Sequence, residues 1–289
     1  MKRYDNRNIL FVLPALGLYS FILIFPIALT LFSSFTEWRR FIPESFGTLE
    51  HYSRLFTDQV LVKAFRHNLT YIGLTIILEG FVGLVLAGIA QHMKKSLGFR
   101  AILFAPVILP SIVIGTLWRQ MYATNGGLLN ALRALVGFEP LVWLAPPYTM
   151  LSVSMVSGWI FAGYFMTIFY ASLSRIPNSV LESAEIDGAG PVRTFFKIQV
   201  PLIKNMIMLA LLVITTGGFK GFDLFQILLR RDPLQSGIVL PTYLIRTFFE
   251  HKDIGYGSAL SIVLTLVVLI IMGLINYGNK RFVGEVDEY

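Results

Sequence analysis

Six stretches of this chain, at about 9–32, 69–90, 101–122, 148–173, 201–219 and 258–277, are almost entirely apolar. A bilayer core takes a helix of roughly 20 such residues. It also leaves the backbone no hydrogen-bond partner except another part of the chain. The pattern predicts an all-α membrane protein with six transmembrane helices and a single transmembrane domain over 1–289. Its core would cover about 66–278, with helix 1 at about 9–32.

Only 14% of the 289 residues are charged, against about 25% in soluble domains. The net charge of +7 would suit nucleic acid in a soluble chain. Here the basic residues sit mainly between the apolar runs, which suits loops beside anionic lipid headgroups instead. No Cys is present, so disulfide and thiolate chemistry are excluded. Lys2, Arg3 and Arg7 precede an apolar run too long for a signal peptide and without a small-residue cleavage site, so it reads as a retained helix. Pro14, Pro26, Pro106 and Pro110 are expected to kink or interrupt their helices.

Six spans put both termini on one side. Lys and Arg totals do not separate the two sides, but Lys94, Lys95 and Arg100 crowd one tight loop on the terminal side. That density favours cytoplasmic termini. Residues 50–67, EHYSRLFTDQVLVKAFRH, have helical apolar spacing. They read as an amphipathic helix on the outer membrane interface, or as a soluble loop helix packed on the outer part of the protein.

Several chemistries have no residues to carry them. The chain has no G-x-x-x-x-G-K-[ST] loop, so it is not expected to bind and hydrolyse ATP. Neither H-E-x-x-H nor G-x-S-x-G occurs. His51, His67, His92 and His251 are scattered over loops and suggest no metal site. No cofactor is expected.

One polar segment, about 175–200, separates spans four and five. Ser179-Val180-Leu181-Glu182 has the form of a capping box. Gly188 suits a left-handed helix stop, and Gly190-Pro191 suits a restart. The result would be two short helices outside the bilayer, exposing Leu181, Ala184 and Gly188 on one face. Glu182 could pair with Arg193 across the turn, and Pro201 would open the next span. An ordinary well-capped loop explains the same local pattern.

The spacing carries more. Glu182, Ser183, Ala184, Gly188, Ile198 and Pro201 follow the pattern E-A-A, three residues, G, nine residues, I-x-L-P. This resembles the EAA loop of ABC importer permeases, with Ser183 for Ala and Val200 for Leu. NLTYIG before span two, LFAPVILP in span three and Gly255-Tyr256-Gly257-Ser258-Ala259 before span six extend the likeness along the chain. It is closest to the MalF/UgpA-like sugar permeases of binding-protein-dependent transport. The stretch ILLRRDPLQSG stands where many such subunits carry T-G-G-G-P.

The resemblance implies the type I importer permease fold, with a cytoplasmic coupling helix between helices 4 and 5. Glu182, Ser183, Ala184, Asp187, Gly188 and Ala189 would dock on an ATPase. The partners implied are a second permease (MalG/UgpE-like), two ABC ATPase subunits, an extracytoplasmic binding protein, a sugar and the lipid bilayer, with no nucleic acid. The chain would be a multi-pass protein of the bacterial inner membrane and not an enzyme. Its solute would be an oligosaccharide, or alternatively a polyol or glycerol-phosphate-type compound. A self-sufficient secondary transporter would instead show inverted repeats, which the sequence lacks.

Candidate substrate contacts follow from polar groups within spans. Glu79 is an ionisable residue in mid-helix, hence a functional candidate or an internal hydrogen-bond partner. Lys220 and Asp223 close span five and either pair or line a cavity mouth. Thr215, Thr216, Gly217 and Gly218 offer hydroxyls and bare backbone, or a close helix crossing. Trp159 and Tyr164 would stack on a sugar ring or serve packing alone.

Overall fold

The computed structural model describes residues 7–39, 42–94, 96–229 and 235–283. Lys2, Arg3, Lys95, residues 230–234 of the ILLRRDPLQSG stretch and the tail beyond 283 lie outside the described residues.

Among the described residues, four helices are long and apolar enough to cross a membrane: Val12–Ser34, Gln59–Gln91, Thr149–Leu173 and Ile254–Gly278. Two further apolar pairs are bent, Ser96–Ile108 with Ser111–Met121 by 98° and Pro191–Leu202 with Lys204–Lys220 by 75°. Counting each pair as one span gives six.

The breaks have local causes. Leu109 is extended (φ −76°, ψ 142°) after a 3₁₀ turn over Ala105–Ile108, because the residue before a proline is pushed out of the helical region. Pro110 is extended too and starts the 111–121 helix. The fifth span begins later than its proline suggests. Pro201 lies within the preceding helix, and the span's helix runs from Lys204 to Lys220. A π-helical stretch at Phe195–Gln199 loosens the turn below Pro201, where an α-helical carbonyl would clash with the ring. Pro14 and Pro26 interrupt less. The first helix passes from Arg7 to Ser34 through a π stretch at Ser20–Ile24.

The chain divides into two compact units. One comprises Val62–Thr242 and Val268–Tyr289 and centres on the 149–173 helix. Val153, Val156, Phe165, Met166, Phe169 and Leu173 are almost fully buried there. Small residues let its neighbours come close: a Cβ on Gly163 would lie 1.9 Å from the Leu103 carbonyl oxygen, and one on Gly158 2.7 Å from Leu78 Cβ. In a bilayer, such close backbone approach supplies the packing that hydrophobic burial supplies in water.

The other unit comprises Met1–Leu61 and Tyr243–Val267. It contains the first long helix and a hairpin pairing Thr36–Arg39 with Ile42–Phe46. Residues 50–67 are not the single amphipathic helix expected. Glu50–Leu55 forms one short helix, and a new helix starts at Gln59 and continues into the second span.

Asp58 makes the break. Its Oδ1 accepts the backbone N–H groups of Val60 (2.8 Å) and Leu61 (3.1 Å), which satisfies donors the new helix would otherwise leave open. Its Oδ2 accepts the hydroxyls of Tyr243 and Tyr256. Arg54 Nη1 donates to Asp253 Oδ2 at 2.6 Å and its guanidinium sits 4.2 Å from the Tyr256 ring centroid. Asp253 Oδ1 in turn accepts the Tyr256 N–H at 3.1 Å. The carboxylates at 58 and 253 thus tie the starts of two spans to one polar knot.

Burial pushes the Asp58 carboxyl up. Hydrogen bonds from Tyr243, Tyr256, Leu61 and Val60 outweigh it and leave the group below its ordinary value. Tyr243 is pushed up to about 12 by burial and by Asp58. A lowered carboxyl pKa contributes stability above the ordinary carboxylate range, and that contribution is lost as pH falls through the folded value.

Asp58→Ala should therefore lower stability by roughly 2 kcal/mol, read as a drop in thermal unfolding temperature of the detergent-purified protein near neutral pH. Asp58→Asn keeps an acceptor at the cap and should lose less. Unchanged unfolding for the alanine variant would show that the knot carries no stability.

Candidate functional site

A cavity of about 430 Å³ opens within the unit built on residues 62–242. Each neighbouring element contributes to its wall. Tyr71, Thr75 and Glu79 come from the 59–91 helix, Leu109 and Ser111 from the bend at Pro110, Ser157, Phe161 and Tyr164 from the 149–173 helix. Gly217, Gly218 and Lys220 come from the 204–220 helix, and Phe222, Asp223 and Phe225 from the start of the short Asp223–Leu228 helix that follows. The bend in the third span thus has a use: non-helical backbone at membrane depth is tolerated where it borders a cavity.

Depth sorts the polar groups. Tyr71, Thr75, Glu79 and Ser157 are buried, whereas Lys220 and Asp223 are exposed. Three of the buried four are hydrogen bonded in a directed chain. Tyr71 donates its hydroxyl to Ser157 Oγ (3.0 Å), and Ser157 donates to Glu79 Oε1 (2.7 Å). Thr75 Oγ1 donates back to the carbonyls of Tyr71 and Ile72, both at 3.0 Å. Glu79 sits in a π-helical stretch, Ile76–Phe81. Such an inserted residue turns side chains away from the regular helical face and recurs at functional sites.

The predicted residues divide. Glu79, Tyr164, Gly218, Lys220 and Asp223 line the cavity. Trp159, Thr215 and Thr216 do not. Successive residues on an α-helix turn by about 100°, so Trp159 faces nearly opposite Ser157. It is 42% exposed and meets Trp118 edge to face at 5.7 Å. Thr215 and Thr216 turn off the face carrying Val213, Gly217 and Gly218, and Thr216 Oγ1 bonds the Leu212 carbonyl at 2.7 Å. No ion pair joins Lys220 to Asp223 among the described residues. Tyr71, Thr75 and Ser157 were missed. The i, i+4, i+8 spacing of Tyr71, Thr75 and Glu79 is the signal that points to one helical face.

The polar segment after the 149–173 helix keeps its predicted outline with different details. A short helix spans Asn178–Ile186. It ends as expected: Gly188 has φ +74°, its N–H reaches the Glu185 carbonyl at 3.0 Å, and the Ala189 N–H reaches Ala184 at 2.9 Å. Gly190 and Pro191 start the next helix. The capping box does not form. The helix begins two residues earlier, with Pro177 at the cap position, and Ser179 lies inside it with no capping hydrogen bond. Ala184 is buried rather than presented with Leu181 and Gly188. The exposed face carries Glu182, Ser183, Glu185, Asp187 and a solvated Ile186, while Ala189 is half-buried. No ion pair joins Glu182 to Arg193 among the described residues.

Known proteins extend these observations. Residues 79–284 match the family described as "Binding-protein-dependent transport system inner membrane component". The chain is 36% identical over 267 residues to the "Probable ABC transporter permease protein YurN" of Bacillus subtilis (strain 168), covering 90% of this chain and 91% of that protein. It is 27% identical over 289 residues to the "Diacetylchitobiose uptake system permease protein NgcF" of Streptomyces coelicolor, covering 94% and 82%. Its fold matches, at a TM-score of 0.84 and 19% identity, a chain of a bacterial alginate ABC transporter in complex with an alginate pentasaccharide-bound periplasmic protein, covering 97% and 96%. The chain belongs to the binding-protein-dependent transport system inner membrane components.

Proposed function

We propose that the cavity bordered by Glu79, Tyr164, Gly218, Lys220 and Asp223 is this chain's share of the path of a sugar through an ATP-driven importer. The observation that carries this is the cavity itself: about 430 Å³, with a buried hydrogen-bonding wall beside the Tyr164, Phe161 and Phe222 rings. That is the composition of a small-molecule site, mostly apolar with a few placed polar groups. Aromatic faces and hydroxyls together suit a sugar. The diacetylchitobiose system to which NgcF belongs, and the alginate importer that shares the fold, take up glycans. An oligosaccharide is the reading favoured here, with a polyol or glycerol-phosphate-type solute as the alternative.

The chain is the membrane component of an ABC importer. It works with a second permease, two ATPase subunits and an extracytoplasmic binding protein, and hydrolysis belongs to the ATPases. In this reading residues 1–289 act as one permease domain. The 178–186 helix is the coupling element, with Glu182, Ser183, Asp187, Gly188 and Ala189 toward an ATPase and Ala184 packing it onto its own chain. A short helix that starts at a proline and ends on a fixed left-handed glycine transmits displacement, which a floppy loop does not. Both termini then face the cytoplasm with the loop at Lys94 and Arg100.

Gly217 tests the path. A Cβ there meets nothing within 4 Å, and the residue borders the cavity, so Gly217→Phe should fill it without straining the helix. Uptake in proteoliposomes should be lost, while the assembled complex keeps its yield and unfolding temperature. Gly218→Phe is the contrast: its Cβ would lie 2.4 Å from Ile72 Cγ1, so the fold itself should suffer. Undiminished transport by Gly217→Phe would place the path elsewhere.

Gly188 tests the coupling. At φ +74° a side chain costs about 1–2 kcal/mol, and a β-branched one more. Gly188→Val should insert and bind its partners yet lose the ATPase stimulation produced by loaded binding protein. Normal stimulation would refute the coupling assignment.

A further inference from the structure

The link between the 111–121 and 149–173 helices carries a short helix, Leu128–Leu135, that is amphipathic the wrong way round for water. Its two polar side chains turn toward their own chain. Asn130 is buried, and its Nδ2 donates to the carbonyls of Ala123 (3.3 Å), Thr124 (3.3 Å) and Leu141 (2.9 Å). Its Oδ1 accepts the Leu141 N–H (2.9 Å) and the Trp143 indole N–H (3.0 Å). Arg133 is half-buried, donates from Nε to the Glu139 carbonyl at 3.1 Å and lies 5.3 Å from the Phe138 ring centroid. The opposite side carries Leu128, Ala131, Leu132 and Leu135, all exposed, at the i, i+3, i+4, i+7 spacing of one helical face. Val136 and Phe138 follow, exposed as well. A loop helix bathed by water shows the reverse pattern, so a medium of low polarity covers this face.

The depth of the link identifies that medium. Tyr122 donates its hydroxyl to the Ser152 carbonyl at 2.9 Å, and Ser152 donates its own to the Trp143 carbonyl at 2.8 Å. Both flanks of the short helix are thereby pinned to the first turn of the 149–173 helix. That helix has 25 residues, roughly 37 Å of length against about 30 Å of hydrocarbon. Its first turn therefore stands at headgroup level, and the 128–135 helix is held beside it. Tyr122, Trp143 and Tyr148 share that level, where amphipathic rings gather. The exposed apolar surface continues on the flanking helices, at Val113 and Leu117 before the link and at Leu151 and Met155 after it.

We infer that the Leu128–Leu135 helix lies along the membrane surface opposite the 178–186 helix, with Leu128, Leu132 and Leu135 immersed in the headgroup–acyl boundary of the lipid. Interfacial helices bind by burying such a face at shallow depth while their polar side stays satisfied. Here the polar side is satisfied by the protein itself. Through Asn130 and Tyr122 the helix fixes the end of the 111–121 helix, whose Ser111 and Ile114 border the cavity. The lipid contact thus holds one wall of the solute path in place, whichever solute the path carries.

The chain has no Cys, so Leu132→Cys provides a single labelling site once the cysteines of the partner subunits are replaced. An NBD fluorophore attached there would be read in the complete permease–ATPase complex, in nanodiscs of phosphatidylcholine and phosphatidylglycerol. Lipid carrying a doxyl group near the headgroup should quench it about twofold or more, and aqueous iodide should have little effect. Glu139→Cys, exposed just past the helix, is the contrast and should be open to iodide. Leu135→Cys repeats the measurement if Leu132→Cys does not assemble.

Iodide quenching at the leucine position as strong as at Glu139→Cys, with no effect of doxyl lipid, would put the face in water and overturn the inference. A label silent to both quenchers would also overturn it, by showing that the second permease covers the face. Iodide quenching that disappears only when loaded binding protein is added would overturn it in favour of a docking site for that protein.

Discussion

The need of every backbone N–H and C=O for a partner where water is absent governs this protein. Long helices meet it automatically, so most of the chain is helical between Arg7 and Val283. Departures from α-helix are informative because each must be compensated. The break at Leu109-Pro110 borders the cavity, the π stretch at Ile76–Phe81 carries Glu79, and the π stretch at Phe195–Gln199 accommodates Pro201. Two of these departures lie at the cavity wall and one just before the fifth span, while the π stretch at Ser20–Ile24 lies within the first long helix.

The polar groups obey the same constraint with different partners. Asp58 answers open donors at the start of the second span and draws two tyrosine hydroxyls to the same carboxylate. Glu79 has no such task, since its oxygen meets a serine hydroxyl at the edge of an open volume. One carboxylate is saturated by its own chain and serves stability. The other meets one serine hydroxyl and borders a cavity.

Much of the fold was legible in the sequence. Uninterrupted apolar runs place the 149–173 and 254–278 helices to within a few residues, because length and hydropathy are what a bilayer reads. The stop at Gly188 was legible for an equally local reason, since a left-handed residue there is most cheaply glycine. The N-terminal cap of the same helix was not. Pro177 takes the cap position two residues before Ser179, which puts Ser179 inside the first turn where it cannot cap. Residues 50–67 misled in a similar way: their apolar spacing is helical on both sides of Asp58, and nothing in that spacing reveals that the carboxylate is claimed by Tyr243 and Tyr256 almost 200 residues later.

By itself the sequence determined that this chain crosses a membrane as helices and that a short polar helix with the importer-permease spacing and a glycine stop interrupts them. These properties depend on composition, neighbours and fixed spacing, all of which are local. Tertiary structure decided which polar residues face one cavity. Trp159 and Tyr164 lie five residues apart on one helix, yet only Tyr164 borders the cavity. Thr215 and Gly218 part in the same way. That choice depends on how each helix is rotated about its axis, and the rotation is set by contacts such as Gly163 on Leu103 and Gly218 on Ile72, which join residues far apart in the chain.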